Sequence, residues 1–411
     1  MAEALCRHMG TCGGCSLPGV PYGDQLVSKE HVLRSQLGWA LRGSSTTDRG
    51  SASGPSTNER LFLPVYADAE TPRHFRQKVA FSFAPGPRGR GLAMGHYAAG
   101  SQRLVAVTEC PVHSARGNRI AFALRDHLAR AGIAAASPRG GLLRHVLVRT
   151  KADDREAVVM LVVTRNDRSL RAPVRALLDS PERPDGFFIN VHDGPGPFLV
   201  GPTTLRVDGR SHVRESVGGL SYLVSPHAFF QTNVRAAAAL QAAVVDSVGP
   251  ATHVLELYCG SGLFSLALAV RGTMVLAIEE NRQAIRDAEA NLRLNRLSPR
   301  VVRFVAKRVE DALDRAVEAR WDAVILDPPR SGCPRRVLTA VFEAVAPPRV
   351  VYVSCNTDAL ASEWPAIAAA GYQVERLQAV DMFPHTMHIE VIVTFVRRGD
   401  RTRRVVQGSR V

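Results

Sequence analysis

The sequence predicts an α/β protein in which a doubly wound C-terminal α/β domain follows a smaller α+β domain. The chain has 411 residues, which is more than one compact core usually holds. From about residue 60 to 220, short β runs alternate with turns, a pattern typical of a largely antiparallel sheet. From about residue 234, strand and helix patterns alternate, which indicates a sheet with helices on both faces.

The N-terminal region consists of three segments that differ in composition. Residues 1–17 are Gly-rich and contain three cysteines. Residues 18–42 contain leucines at helical spacing from residue 24 onward, which predicts an amphipathic helix. Residues 43–59 are rich in Gly, Ser and Thr and nearly lack apolar side chains, which predicts a flexible insert.

The central region, residues 60–220, forms one predicted domain with the cysteine segment 1–17. Its predicted strands carry the sequences HFRQKVAFSF, RLVAVTEC, HVLVRTK, EAVVMLVVT, GFFINVH and SYLVSP. Helical patterns lie around residues 114–132 and 167–179.

The C-terminal domain is predicted over residues 221–396. Its strands are predicted at HVLEL, TMVLAIE, RFVAK, DAVILD and RVVYVS, and its helices at 234–248, 281–296, 309–319, 335–346 and 357–370. A hairpin of QVERLQAVDMFP and HIEVIVTFVRR ends the domain. The tail, residues 397–411, is basic and predicted to be disordered.

The composition limits the possible partners and compartments. A formal net charge of +14 favours a polyanionic partner, nucleic acid above all, although 48 of the 52 basic residues are Arg and a GC-rich coding bias explains part of this. Seven cysteines without a secretory signal favour the reducing cytoplasm. No apolar run approaches the ~18 residues of a membrane span, so no membrane is expected, and no feature implies a stable protein partner.

The motif VLELYCGSGLFS predicts a strand, a Gly-rich turn and a helix that together bind a cofactor. Gly260 and Gly262 let backbone amides approach a ligand closely. Ser265 stands where a dinucleotide fingerprint requires glycine, which disfavours NAD and FAD. Glu279 is suitably placed to accept hydrogen bonds from ribose hydroxyls, and Asp327 ends another strand at the same crevice. Together these residues favour a binding site for S-adenosylmethionine. The alternative is that Glu279 is only a solvated acid that stabilises the start of a helix.

Cys355 follows the strand RVVYVS and opens onto the same crevice. A lone cysteine is usually a small buried side chain, but Glu390 begins the last strand, where a carboxylate needs an Arg partner or a catalytic role. Carbon 5 of uracil accepts a methyl group only after a thiolate has added to C6, and a base must then remove the C5 proton. A cysteine, an acid and a methyl donor in one crevice fit this chemistry. A thiolate nucleophile further predicts a Cys355 pKa below the free value of ~8.5.

The chain resembles the RNA uracil-C5 methyltransferases. The matching motifs are SPHAFFQTN, LELYCGSGLFS, AIEEN, LDPPRSG, VSCNTDAL and MFPHTMHIEV, in the order and spacing of that family. The resemblance implies a Rossmann-like class I methyltransferase domain that methylates C5 of a uridine in RNA. It also implies residue roles. S-adenosylmethionine would be bound by Gln231, Tyr258, Glu279 and Asp327, with Cys355 as nucleophile, Glu390 as base and Phe229 near the target base.

Four cysteines suggest a metal site in the N-terminal half. Cys6, Cys12 and Cys15 cluster, and Cys110 lies far along the chain. Spacing alone leaves an iron–sulfur cluster and a zinc site with His8 or His113 about equally open. The resemblance implies a [4Fe-4S] cluster, which ribosomal RNA members of the family carry.

The same resemblance points to RNA contacts and to a substrate. The strand RHFRQKVAFSF matches the family's basic strand, so Arg73, Arg76 and Lys78 would contact phosphates, unless they form an ordinary solvated face. The helix of residues 18–42 would pack on the methyltransferase domain. Because few residues precede Cys6, the layout resembles the RlmC type, which acts on 23S ribosomal RNA. Alternatives are an RlmD-type enzyme, a TrmA-type transfer RNA enzyme and a noncatalytic RNA-binding iron–sulfur protein.

Overall fold

The computed structural model describes residues 6–17, 19–42, 61–68, 72–138, 140–194 and 199–399. The predicted flexible insert, 43–59, lies outside the described residues, as does the predicted tail beyond residue 399. Within the described residues, no helix combines the length and the apolar character that crossing a lipid bilayer requires.

Helices and strands alternate through most of the chain. The helices are α1 (Tyr22–Arg42), α2 (Ala115–Arg130), α3 (Arg171–Leu178), α4 (Val234–Val248), α5 (Leu263–Val270), α6 (Arg282–Leu294), α7 (Val309–Val317), α8 (Arg335–Thr339, continued by a π-helical turn, Ala340–Val345) and α9 (Thr357–Ala369). The strands are β1 (Lys78–Pro85), β2 (Leu92–Tyr97), β3 (Leu104–Ala106), β4 (Leu143–Thr150), β5 (Ala157–Val163), β6 (Gly186–Val191), β7 (Thr203–Gly209), β8 (Val213–Val217), β9 (Leu220–Val224), β10 (His253–Leu257), β11 (Met274–Glu279), β12 (Val302–Ala306), β13 (Ala323–Leu326), β14 (Arg349–Ser354), β15 (Tyr372–Val380) and β16 (Glu390–Arg397).

The first sheet has seven strands in the order β3-β2-β1-β4-β5-β6-β7. Its neighbours are antiparallel except β5 and β6, which are parallel and are connected through α3. Helices α2 and α3 cover one face, where Leu124 and Leu177 are fully buried with Phe81 of β1. This α+β arrangement with a largely antiparallel sheet agrees with the sequence pattern.

The second sheet also has seven strands, in the order β12-β11-β10-β13-β14-β16-β15. The first five are parallel, and β16 is antiparallel to both of its neighbours. Counted from β10, this is the order 3-2-1-4-5-7-6. Parallel strands buried on both faces read as continuous apolar runs, and the wholly buried strand Ala323–Leu326 is one example.

Helices cover both faces of the second sheet and form two cores. One core contains side chains of α7, α8 and α9 and also of α1, whose Leu33 and Leu37 are buried there. The other contains side chains of α4, α5 and α6. Helix α1 therefore packs on the second sheet although it precedes the first sheet in the chain, as the resemblance implied.

Three strands of the structure, β2, β7 and β8, were not predicted from the sequence. Strand β2 contains Ala and Gly, and β7 is an edge strand with an exposed face, so neither has the apolar alternation typical of a half-buried strand. Strand β8 pairs with β9 in a separate hairpin across the predicted boundary at residue 220. Val213, at the start of β8, packs in the first sheet's core, and Val217, at its end, packs in the second.

Candidate active site

A cleft of about 540 Å³ lies at the carboxyl ends of the parallel strands of the second sheet. Most of the predicted site residues line it, although they are spread over more than 150 positions of the chain. These are Phe229, Gln231, Tyr258, Gly260, Glu279, Asp327, Cys355 and Glu390. The fold thus brings the predicted cofactor residues and the predicted reactive pair into one enclosure.

Three site loops are fixed in the same way, by an Asn that begins the following helix. Asn233, Asn281 and Asn356 are the N-caps of α4, α6 and α9, and each side chain accepts hydrogen bonds from backbone amides of its first turn. Gln231 and Glu279 stand two residues before such a cap, and Cys355 stands one residue before. Capping therefore fixes where each helix begins, and the three side chains just before the caps line the cleft.

The Gly-rich turn between β10 and α5 has two glycines with different functions. Gly260 has φ +53° and no atom within 4 Å of the position of a Cβ, so the space beside it is open toward the cleft. Gly262 has φ +84°, and a Cβ there would lie 2.6 Å from Cδ1 of Leu266. Gly262 does not itself line the cleft and instead allows the turn to close against α5.

Ser265, which replaces the third glycine of a dinucleotide fingerprint, has a structural partner. Its hydroxyl donates a hydrogen bond to Glu256, which is fully buried on β10. Burial raises the pKa of Glu256 to about 8, so this carboxyl group is mostly protonated at neutral pH. The pair holds α5 against the strand behind the glycine turn, a contact that a glycine could not make.

Tyr258 and Glu279 frame the glycine turn on its open side. Tyr258 has φ +66°, an unfavourable conformation for a residue with a Cβ, and such strain is common at binding sites. Its hydroxyl is buried and finds no hydrogen-bond partner within the described part of the chain. The Glu279 carboxylate accepts hydrogen bonds from the amides of Gly260 (3.1 Å) and Asn281 (2.8 Å). This fixes the carboxylate and leaves lone pairs for a ligand's hydroxyls.

The register of β14 and β16 explains how Cys355 and Glu390 come together. The antiparallel pairing sets Ser354 opposite Val391. One step further in the same register, Cys355 faces Glu390. Cross-strand neighbours of this kind lie about 5 Å apart at Cβ, so a thiol and a carboxyl group share one end of the sheet.

Burial controls the protonation of the reactive pair. Burial, with a smaller contribution from the neighbouring charge of Asp327, raises the pKa of Glu390 to about 8. Burial also raises the pKa of Asp327 to about 7, with Glu279 adding to the effect. For Cys355, burial and then the proximity of Glu390 raise the thiol pKa, whereas Arg330 lowers it. The prediction of a lowered Cys355 pKa is therefore wrong, because desolvation and the charge of Glu390 outweigh the effect of Arg330.

Arg330 lowers the pKa of both Cys355 and Glu390, so replacing it has a measurable effect. We expect Arg330→Gln to shift the alkylation of Cys355 by iodoacetamide to higher pH, since the thiolate loses its stabilising cation. Peptide mass spectrometry separates this cysteine from the other six. Arg335→Gln, at an exposed position outside the cleft, should leave the profile unchanged. Identical profiles for both variants and the parent would contradict the assignment.

The predicted RNA-contacting residues lie in different environments. Phe229 is 64% exposed and lines the cleft, so an aromatic face is open at its entrance. Arg73 is exposed, whereas Arg76 and Lys78 are half-buried, and burial lowers the pKa of Lys78 to about 7. Arg76 also lines the cleft, which the sequence reading did not anticipate. The neighbouring aromatic residues Phe75 and Phe81 are buried and so are not available to stack on RNA bases.

The four predicted metal-binding cysteines surround a second cavity, of about 80 Å³. Cys6, Cys12, Cys15 and Cys110 all line it, together with His8, His96, His113 and Arg76. The amides of His8 and Gly14 donate to the sulfurs of Cys6 (3.3 Å) and Cys12 (3.4 Å), as amides commonly do to metal-bound thiolates. The donor set therefore fits a metal group.

The spacing of the cysteine sulfurs bears on which metal group fits. Around a single zinc ion with Zn–S bonds of about 2.3 Å, sulfur ligands lie about 3.8 Å apart. In the described chain, the one set of three metal-binding side chains within 4.8 Å of one another is His96, Cys110 and His113. Within the described residues, no three of the four cysteines form such a compact set, whereas the His–Cys–His set is compact enough for one zinc ion.

Several residues that line the cleft were not predicted from the sequence. Arg330 and Phe383 line it, and so do Phe264 and Asn281. Arg330 and Phe383 lie within the motifs LDPPRSG and MFPHTMHIEV, so their position next to predicted residues was the available signal.

The sheet order, the glycine turn and the cleft define a Rossmann-like α/β fold of the S-adenosylmethionine-dependent methyltransferase type. Residues 204–398 match the family model described as tRNA (Uracil-5-)-methyltransferase. An RNA methyltransferase of Geobacter sulfurreducens is 31% identical over 98% of this chain and 79% of that protein. Another, of Chlorobaculum tepidum, is 31% identical over 96% of this chain and 83% of that protein. The chain belongs to the RNA uracil-C5 methyltransferase family.

A solved structure supports the same placement. The tRNA (uracil-54, C5)-methyltransferase of Pyrococcus abyssi, in complex with S-adenosyl-L-homocysteine, superimposes with a TM-score of 0.74. It is 25% identical in sequence, and the match covers 94% of this chain and 85% of that protein. Because the match extends over nearly the whole chain, it includes both sheets.

Proposed function

We propose that this protein methylates C5 of a uridine in 23S ribosomal RNA, as an RlmC-like enzyme, through a covalent Cys355 intermediate. The observation that carries the proposal is the joint placement of Cys355, Glu390 and the Gly260 turn around one cleft. A thiol, a buried carboxyl group and a methyl-donor site are what the reaction at this carbon requires.

The methyl donor would bind at the side of the cleft that the glycine turn forms. We assign S-adenosylmethionine to Gln231, Tyr258, Gly260, Glu279 and Asp327, with Gly262 supporting the turn from behind. When bound, it supplies an electrophilic methyl group. The Glu279 carboxylate would accept hydrogen bonds from the ribose hydroxyls, and the open space beside Gly260 would admit the ligand against the backbone.

RNA binding comes before the chemistry. Arg73, Arg76 and Lys78 would hold the RNA backbone, and the target uridine would leave its stack to enter the cleft. Phe229, exposed at the entrance, offers a face on which the extruded base could stack. A base inside the cleft is shielded from water, which favours addition over side reactions.

The chemistry proceeds in two stages. The Cys355 thiolate adds to C6 of uracil, the electrons of the C5–C6 double bond move toward O4, and C5 of this enolate takes the methyl group while S-adenosylhomocysteine leaves. Glu390 then removes the C5 proton, the C5–C6 double bond re-forms and the C6–S bond breaks. A pKa of about 8 makes Glu390 a stronger base than an ordinary carboxylate once it is ionised.

We further propose that Cys6, Cys12, Cys15 and Cys110 hold a [4Fe-4S] cluster. Support comes from their arrangement around one cavity and from the amides that donate to the sulfurs of Cys6 and Cys12. We expect protein purified without oxygen to be brown and to contain about four iron atoms per chain. Cys12→Ser should lose the iron, and Cys333→Ser, at a buried cysteine elsewhere, should keep it. A colourless protein with one zinc ion would instead favour the His96, Cys110 and His113 set.

Transfer RNA is the second candidate substrate, because the solved relative from Pyrococcus abyssi is named for uridine 54 of tRNA. Mapping 5-methyluridine in 23S and transfer RNA from cells with and without this gene separates the two. Loss of one modified position in 23S RNA is the expected result. Loss confined to transfer RNA would overturn the ribosomal assignment, and no loss in either RNA would overturn the proposed activity.

A further inference from the structure

Helix α1 contacts both loops that carry the proposed catalytic residues. The base loop, residues 381–389, leads into Glu390 and includes Phe383, which lines the cleft. The nucleophile loop, residues 355–358, begins at Cys355 and includes the first two residues of α9. Because α1 lies more than 300 positions away in sequence, these contacts are made entirely by tertiary folding.

A fully buried ion pair attaches α1 to the base loop. Lys29 Nζ lies 2.7 Å from Asp381 Oδ1, and both side chains are 0% exposed. Asp381 also accepts hydrogen bonds from the Tyr22 hydroxyl (2.8 Å) and from the amide of Phe383 (3.1 Å). Lys29 donates a second bond to the carbonyl oxygen of Phe383 (3.1 Å). The ion pair thus binds both the backbone amide and the backbone carbonyl group of Phe383, which lines the cleft.

Gln25, one turn earlier on α1, holds the next part of the base loop. It accepts a hydrogen bond from the amide of His385 (2.8 Å), and its amide group contacts Nδ1 of the same residue (3.1 Å). His385 has φ +65°, which is unfavourable outside glycine and persists only where the surroundings enforce it. The loop is therefore held in a conformation that its own sequence does not favour.

The far end of α1 reaches the nucleophile loop. Gln36 accepts a hydrogen bond from the Thr357 hydroxyl (2.6 Å) and donates one to the Asp358 carboxylate (2.6 Å). These residues directly follow Cys355 and the N-cap of α9. One rigid helix thus spans the attachment points of the nucleophile and of the base, and such a span fixes their separation.

We propose that helix α1 sets the position of Glu390 relative to Cys355, with Lys29 and Asp381 as positioning residues. A buried ion pair contributes little net stability compared with apolar side chains of the same size, so its directional bonds to Phe383 are its distinctive contribution. The proposal rests on the proposed function, because it assumes that Glu390 completes the reaction. Lys29 and Asp381 would thus affect the removal of the C5 proton by Glu390 and would not affect the binding of S-adenosylmethionine.

The test uses the double variant Lys29→Met/Asp381→Asn, which removes both charges together and leaves no unpaired ion in the interior. We expect kcat to fall about 10- to 100-fold, since small displacements of a reacting group have effects of this size. The KM for RNA and the affinity for S-adenosylmethionine should change less than about threefold, because the glycine turn is not contacted. The covalent RNA adduct should accumulate on a denaturing gel, because release needs the displaced base.

Leu33→Ala is the matched control, since Leu33 is 1% exposed, lies one turn further along α1 and packs in the apolar core. It should lower the melting temperature without lengthening the life of the adduct. Equal kcat losses in both variants, or parent-like turnover in the double variant, would overturn the positioning role. Glu390→Gln on the same gel separates the two proposals: if it forms adduct and the double variant does not, only the role of α1 fails, and if neither forms adduct, the covalent mechanism fails.

Discussion

Replacing Cys355 with alanine abolishes methyl transfer to RNA and leaves binding of S-adenosylmethionine intact. The expected loss exceeds about 10⁴-fold, because removal of a nucleophile leaves no alternative route to the enolate at C5. The glycine turn and Glu279 lie on other loops of the cleft, so the dissociation constant of the cofactor should stay within about twofold. Transfer of a tritiated methyl group and equilibrium dialysis measure the two quantities.

Cys333→Ala provides the control for this variant. Cys333 is a buried cysteine, whereas Cys355 is half-buried, and Cys333 follows the strand next to that of Cys355 but does not line the cleft. Its variant should lose some stability through the small cavity it creates and keep its turnover number. Full activity in Cys355→Ala would refute covalent catalysis by this residue.

Replacing Glu390 with glutamine traps the enzyme on its RNA. Glutamine has nearly the same size but cannot accept the C5 proton, so the C6–S bond persists after methyl transfer. A denaturing gel should show a slower band that contains protein, RNA and the labelled methyl group. The double variant Cys355→Ala/Glu390→Gln should show no such band. Normal turnover without adduct in Glu390→Gln would exclude Glu390 as the base.

The same substitution should stabilise the fold, with a defined pH dependence. The folded-state pKa of Glu390, about 8, lies above the unfolded value of about 4.3. Below about pH 4.3 the carboxyl group is neutral in both the folded and the unfolded state, so the parent's free energy of unfolding is at its highest relative to the variant. As the pH rises from there toward 8, the parent loses this stability because the unfolded state ionises first. Relative to the difference below pH 4, the variant should gain roughly 4 kcal/mol by pH 7, at about 1.4 kcal/mol for each of about 2.7 pH units. Urea titrations at pH 5 and pH 7 measure this, and an equal difference at both values would contradict the buried, neutral state.

The local signals that the sequence carried were sufficient for most of the second sheet. Apolar runs of four to six residues predicted the parallel strands, because strands buried on both faces must be apolar throughout. Strand β7, at the edge of the first sheet, was missed because almost all of its residues are exposed, and such a strand does not need an apolar run. The glycines at 260 and 262 were also recognisable, because a tight turn after a strand favours residues without a Cβ.

The pKa values of the site residues could not be predicted from local sequence patterns. A thiolate requirement predicted a low pKa for Cys355, but burial and Glu390 raise it. Desolvation depends on every atom within several ångströms, and those atoms come from strands whose packing only the fold determines. Arg330, which acts in the opposite direction, gave no signal beyond its place in a motif.

By itself, the sequence predicted most strands and helices of the second sheet, the glycine turn and the positions of Cys355 and Glu390 at strand ends. These features depend on local backbone preferences and on the alternation of apolar residues, which neighbouring positions encode. Only the tertiary structure decided that Cys355 and Glu390 continue one antiparallel register, that the four cysteines surround one cavity, and that Lys29 binds Asp381. Lys29 and Asp381 are separated by 352 positions, and such a contact exists only after the two sides of a core have packed.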